Sequence, residues 1–426
     1  MEGIKKEKNY GIELLRIVAI VFVLILHIFG RGGVAPYAGL ASNLEAHPWN
    51  YKVSWIFESA VYGCVDIFAL ISGFVGLRSK FHIKKWLKLW VIVVFWGTML
   101  YLIFDKCTFI FDGFNNLLCK IIPAMKPGVE AFGAETKLYI NAIFTVGTKQ
   151  FWYFNMYTLL FFFMPLLNAA VSKLTKKQLG AITFTLFVLM SAYNTVVDKD
   201  IFVLVNGYTA MWLIFLYVVG ATVKRFYEDG FRPNKLACLL GYLGCTAITA
   251  GFRFLFDWLY KKYPEKEMFH ESNDLLISYT GPFIVIGSVL LLFIFMQMDV
   301  RSKAGRKITL FFSGASFGIY IIQVHDTMWV NLLHYRYSKF AYEPTGKMLL
   351  YVFIVLVALY ILFAAMELAR IYLFKLLWFD KLIELIGNGI MKLLGKIYLD
   401  RAPKAAAIEE GSAPAPAEET PPNETK

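Results

Sequence analysis

Two stretches of this chain, 178–197 (QLGAITFTLFVLMSAYNTVV) and 275–298 (LLISYTGPFIVIGSVLLLFIFMQM), carry no charged residue at all. About 20 consecutive apolar residues, rising ~1.5 Å each, match the ~30 Å hydrocarbon core of a bilayer. Inside that core every backbone N–H and C=O must be paired within the protein, which leaves helices as the economical solution for such runs. Ten segments qualify, centred on 14–30, 53–77, 88–104, 151–171, 178–197, 201–223, 236–255, 275–298, 308–333 and 348–372. A hydrophobic fraction of 58% with 39 phenylalanines agrees with this reading and not with a soluble domain. The expected fold is an all-α polytopic membrane protein of about ten transmembrane helices. No small-residue cleavage site follows the first run, so it reads as a span and not as a removed signal peptide.

The net charge of +12 is explained by topology and not by nucleic-acid binding. Basic residues cluster in alternate connections: near the start, at 78–88 (RSKFHIKKWLK), at 173–177 (KLTKK), at 224–235 and at 301–307 (RSKAGRK). Lys and Arg accumulate on the cytoplasmic side, so both termini are expected in the cytoplasm. Three parts follow: a transmembrane domain over 1–374, an amphipathic interfacial helix over 375–400 and a Pro-, Ala- and Glu-rich tail over 401–426. The helix alternates apolar and basic positions at helical spacing. The tail lacks the apolar residues to build a core and is expected to be disordered. The five cysteines make no metal pattern. Cys107 and Cys119 fall in a long outer connection, where a pairing is one option.

The polar exceptions carry the chemistry. The segment ELLRIVAIVFVLILHIFG places Glu13, Arg16 and His27 on one helix. Eleven residues separate Arg16 from His27, close to three full turns, so they share a stripe about 16 Å long. With Arg16 at the cytoplasmic boundary, His27 lies near mid-membrane, where an ionisable group is costly and marks function. The plain alternative is a neutral histidine bonded to a neighbouring helix. The second span carries Glu58 and Asp66; Asp66 and Gly73 share a face, and Ser72 and Gly73 are small enough for a helix or a ligand to approach. Arg78, Lys80, Lys84 and Lys85 follow, suited to a polyphosphate, although any inner loop is basic. The fourth span opens with Trp152 in an aromatic belt. The ninth, FFSGASFGIYIIQVHD, ends on His325 and Asp326. No Walker loop, Rossmann glycine pattern, paired-cysteine zinc spacing, HExxH or G-x-S-x-G occurs, and no metal ligand set is assigned.

In this order, ELLRIVAIVFVLILH, VDIFALISGF with its basic run, QFWYFNMYTLLFFFMPLLN and GASFGIYIIQVH resemble the integral-membrane acyltransferase 3 family over roughly residues 10 to 372. The resemblance implies acyl-CoA-dependent O-acylation, usually acetylation, of surface carbohydrates or related acceptors. It implies His27 as the catalytic histidine and Arg16 as a group engaging acyl-CoA. Arg78 matches the start of the basic motif; beyond it this chain has lysines where relatives often have arginines. His325 follows Tyr320 at a longer spacing than in the family's G-I-Y-L-I-H segment. With only a short tail after the last span, the chain would be a stand-alone member without a fused C-terminal domain.

The expected reaction transfers an acyl group, acetyl first, from cytoplasmic acyl-CoA to a hydroxyl of a cell-surface carbohydrate or lipid-linked glycan. His27 would act as general base or acyl carrier, with Asp66 or Glu13 as its carboxylate partner. Arg16, Arg78, Lys80, Lys84, Lys85, Ser72, Trp152 and His325 would bind substrate. The co-substrate is acetyl-CoA, with no tightly bound cofactor; the other partners are the glycan acceptor and membrane lipid, with no nucleic acid. The expected location is the plasma or inner membrane. The rival is a transporter or flippase for a lipid-linked sugar, coupling to protons through buried His and Asp.

Overall fold

The computed structural model describes residues 8–106, 108–125, 143–144 and 150–398. Among these there are helices and connections and no strands. The tail and Cys107, with its suggested pairing to Cys119, lie outside the described residues.

The chain runs through α1 (Tyr10–Leu26), α2 (Pro48–Val61), α3 (Cys64–Gly76), α4 (Lys84–Lys106), α5 (Thr108–Ile121), α6 (Trp152–Lys173) and α7 (Lys176–Phe187). It continues through α8 (Ala210–Glu228), α9 (Lys235–Lys262), α10 (Pro282–Phe295), α11 (Lys303–Gln323), α12 (Thr345–Leu376) and α13 (Phe379–Tyr398). Eight of the helical stretches are long and apolar enough to cross a bilayer. A ninth is reached if Lys303–Gln323 and Asp326–Tyr342, bent by 71° at the break between them, count as one span. The protein is therefore an all-α multi-pass membrane protein.

The count departs from ten at 275–298. There the helix begins only at Pro282, after the N-cap Gly281, and spans 14 residues, about 21 Å of rise. Proline cannot accept a preceding helical turn, so an uncharged run does not become an unbroken helix. The segment 201–223 likewise starts late. Asp198, Val203, Val205 and Asn206 all have positive φ, and α8 begins only where the Thr209 hydroxyl accepts from the Trp212 N–H at 3.4 Å. Charged residues within spans are also more widespread than expected. Arg253 stands in α9, and Glu367 and Arg370 stand in α12.

α1 is the central helix. The Asn9 side chain caps its start by accepting from the Ile12 N–H at 3.1 Å, and the helix packs on α2, α3, α10, α11 and α12. Close approach is bought with glycine. A Cβ on Gly11 would lie 1.8 Å from the Phe295 carbonyl oxygen, and one on Gly73 would lie 2.0 Å from that of Tyr217. Gly220 on α8 meets Leu70 in the same way, so α3 and α8 cross backbone to backbone.

After α12 the chain continues into α13, which packs on α4. Lys84 and Lys88 of α4 hold it through ion pairs to Glu384 and Asp380, at 3.3 and 2.8 Å.

Candidate active site

At His27 the regular ladder of α1 widens into a π-helical turn, His27–Arg31. Such turns reposition side chains and recur at functional sites. Two backbone bonds staple this turn to a later segment: Tyr335 N–H to Arg31 O and Tyr337 N–H to Gly32 O, both 2.9 Å. The staple brings a second π turn, Trp329–Leu333, alongside. The Trp329 ring meets the His27 imidazole edge to face at 4.9 Å.

Two cavities meet on α1. The deeper, of about 320 Å³, is lined by His27, Ser72, Trp152, Tyr153, Tyr279 and Tyr320, among others, and has Arg16 at its other end. The second, of about 590 Å³, runs on from Arg16 to Arg78, Lys80 and Lys85. Arg16, Ser72, Leu89 and Tyr157 line both. Their volumes fall in the range of small-molecule sites. The stripe expected on α1 thus borders two adjoining cavities, the outer one lined by cations and the inner one by an imidazole.

The helical period sorts α3 into two faces. Val65, Phe68 and Ser72 line the deep cavity. Asp66, Leu70 and Gly73, rotated away by roughly 100° per residue, face α8. Asp66 is fully buried there, and its Oδ1 accepts from Trp212 Nε1 at 3.1 Å. Asp66 is therefore bonded to α8 and not to His27.

Glu13 is not the partner of His27 either. It pairs with Arg16 at 2.9 Å and accepts from the Ser313 hydroxyl. It lies about 21 Å down the axis from His27. Its observed effect is to hold the Arg16 guanidinium, which has five donors and gives one to Glu13.

The basic residues also divide. Arg78 makes a two-point contact with Glu228, at 3.3 and 2.8 Å, which holds its guanidinium above the usual arginine range. The Lys85 ammonium donates to the Ser79 hydroxyl and to Lys80 O, folding the loop while it lines the outer chamber. Lys84 is turned onto α13 through Glu384 and is absent from the lining.

His325, expected to touch substrate, does not reach the cleft. It is fully buried. Its Nδ1 accepts from the Thr327 N–H at 3.3 Å, and its Nε2 faces Gly97 O at 3.3 Å. Accepting at Nδ1 and meeting a carbonyl at Nε2 requires the neutral tautomer protonated at Nε2. His325 therefore pins the bend after α11 against α4. Trp152 does line the cavity, in an aromatic group with Tyr208 at 4.4 Å and Tyr279 at 6.3 Å.

Three further features of this region come from the tertiary structure. Gln323 is fully buried beside the cavity-lining Tyr320 and Val324. Trp329 arrives only through the backbone staple. Glu367 and Arg370 form a buried ion pair at 2.6 Å, with Trp96 Nε1 donating to Glu367 at 2.8 Å. The i, i+3 pair in MELAR was a legible signal for the last of these. Among the described residues no group of three or more His, Cys, Asp or Glu side chains is arranged to hold a metal ion.

The acyltransferase 3 family model, described as an acyltransferase domain, matches residues 9–367. No curated protein and no solved structure matches the chain. The match takes in α1 with Arg16 and His27, the basic loop, the Trp152 helix and most of α12, and so covers the whole cleft. The chain belongs to the acyltransferase 3 family and is a membrane-bound O-acyltransferase.

Proposed function

We propose that this enzyme takes an acyl group, acetyl in the first instance, from acyl-CoA on the basic side of the membrane. It passes the group to a hydroxyl of a surface carbohydrate or lipid-linked glycan. The observation that carries this reading is the pair of adjoining cavities, one lined by Arg78, Lys80 and Lys85 and the other by His27, with Arg16 lining both. Phosphates of the donor would sit among the cations, where a guanidinium supplies paired donors. The slender pantetheine arm follows α1, and the thioester stops at the imidazole. By the distribution of basic residues, the mouth at Arg78 is cytoplasmic.

His27 serves the transfer in its neutral form. As general base its free nitrogen takes the acceptor hydroxyl proton while the oxygen attacks the thioester carbonyl. The tetrahedral intermediate then expels the CoA thiolate, which recovers that proton from the imidazolium. In the covalent variant the same nitrogen attacks the thioester carbonyl and expels the CoA thiolate; the acceptor oxygen then attacks the acyl-imidazolium, releasing the imidazole, and its proton passes to the thiolate. The acceptor enters from the end where Trp152, Tyr208 and Tyr279 gather, since flat aromatic faces suit sugar rings that also need hydrogen bonds. The membrane concerned is the plasma or inner membrane, where donor and glycan are available on opposite sides.

Membrane vesicles carrying the full chain and its endogenous acceptor, supplied with radiolabelled acetyl-CoA, test this reading. His27→Ala is expected to lower transfer by about 10²–10⁴-fold, the usual contribution of a positioned base. A folded His27→Ala protein that transfers at the wild-type rate would overturn the assignment. Mass spectrometry of cell-envelope glycans with and without the gene then identifies the acceptor, as a mass difference of one acyl group.

A further inference from the structure

Gln323, the last residue of α11, is fully buried, and neither its Oε1 nor its Nε2 has a hydrogen-bond partner. Buried polar groups are almost always paired, so an orphaned carboxamide asks for an explanation. Gln323 lies on α11 between Tyr320 and Val324, which line the same cavity as His27, and the His27 Nδ1 is also sealed from solvent and unpartnered. Three orphaned polar atoms thus stand at the ends of α1 and α11, two helices that pack on each other. His27 Nε2, by contrast, is not among the sealed atoms, and His27 lines the cavity. Of the expected carboxylates, Glu13 pairs with Arg16, and Asp66 accepts from Trp212 at Oδ1 on the α8 side, its Oδ2 being sealed and unpartnered as well.

We propose that Gln323 is the positioning residue for His27. Its Oε1 accepts the Nδ1–H of the neutral imidazole as substrate seats, fixing the tautomer that leaves Nε2 free to take a proton. This rests on the reading of His27 given above. A carboxamide can fix a tautomer as a carboxylate does, but without a negative charge to stabilise the imidazolium. The other polar and charged groups around the ring are few. Arg31 follows in the same π turn, and Glu58 of α2 lies beside Gly30. Asp66 of α3 faces away. Tyr153 and Tyr157 of α6, Tyr320 of α11 and Tyr279 line the cavity.

The test uses the same vesicles, with acetyl-CoA as the probe and kcat, KM and pH profile measured for Gln323→Met and Gln323→Glu. Gln323→Met keeps the shape and removes the acceptor. Its kcat should fall about tenfold, the worth of one sheltered hydrogen bond, with KM for acetyl-CoA unchanged. Gln323→Glu places a carboxylate beside Nδ1 and should move the acid limb of the kcat profile up by about one pH unit or more. Wild-type kcat in Gln323→Met, or an acid limb that does not move in Gln323→Glu, overturns the proposal. A kcat loss without the limb shift marks a purely structural glutamine and overturns it too. If His27→Ala is inactive while Gln323→Met is wild type, only this inference fails; if His27→Ala is active, the reading beneath it has failed.

Discussion

Replacing Arg16 by alanine removes the only guanidinium among the described residues that lines both cavities. A hydrogen bond to a charged group contributes about 1.5–3 kcal/mol. Arg16 keeps 30% of its side chain exposed, so water screens it and the lower end applies. At about 1.4 kcal/mol per tenfold, acetyl-CoA should bind roughly tenfold more weakly. The loss has a second source. Glu13 keeps its Ser313 contact but is left uncompensated, facing an anionic ligand. The double variant Arg16→Ala with Glu13→Gln should therefore bind more tightly than Arg16→Ala alone. Arg16→Lys keeps the charge and loses the fork, so it should fall between wild type and alanine. The assay is calorimetric titration of acetyl-CoA into the purified full chain in nanodiscs, repeated at two salt concentrations. Lys84→Ala is the control; because Lys84 is paired to Glu384 outside the chamber, its Kd should not change. An Arg16→Ala protein with the wild-type Kd, or a double variant that binds no better than the single, would refute the reasoning.

Two further outcomes follow from packing. His325→Ala removes a helix cap and the contact to Gly97 O, and should cost about 1–3 kcal/mol of stability, read as a lower Tm. The KM for acetyl-CoA should stay unchanged, whereas a substrate-binding histidine would raise it. Gly318→Ala places a Cβ 2.0 Å from the Glu367 carboxyl carbon within the buried Glu367–Arg370–Trp96 group. It should cost about 1–3 kcal/mol as overpacking, again read by Tm; an unchanged Tm would mean the pair is free to move.

Much of the fold is legible because membrane helices obey short rules. Each of the ten apolar segments maps onto a helix, since a run that must satisfy its own backbone has little choice. The exceptions are local punctuation. Pro282 shortens one helix, and the left-handed residues around 198–206 delay another. Hydropathy sums composition and does not register either. The Cα arithmetic of α1 likewise holds: a fixed rise and rotation per residue put Arg16 and His27 on one stripe, and both meet the cleft.

The sequence by itself determined the spans, the basic side and which residues share a face of one helix. Asp66 with Gly73, and Arg16 with His27, follow from 3.6 residues per turn. Only the tertiary structure decided what each face meets. Asp66 meets Trp212 while Ser72, six residues on, meets the cavity, because Gly73 and Gly220 let α8 close on one side of α3 only. His325 is spent on a bend, and Gln323, two residues earlier, is buried beside the cavity-lining Tyr320 and Val324. The physical reason is that helical periodicity sets relative angles within an element, whereas the azimuth of one helix against its neighbours is settled by packing across all of them at once.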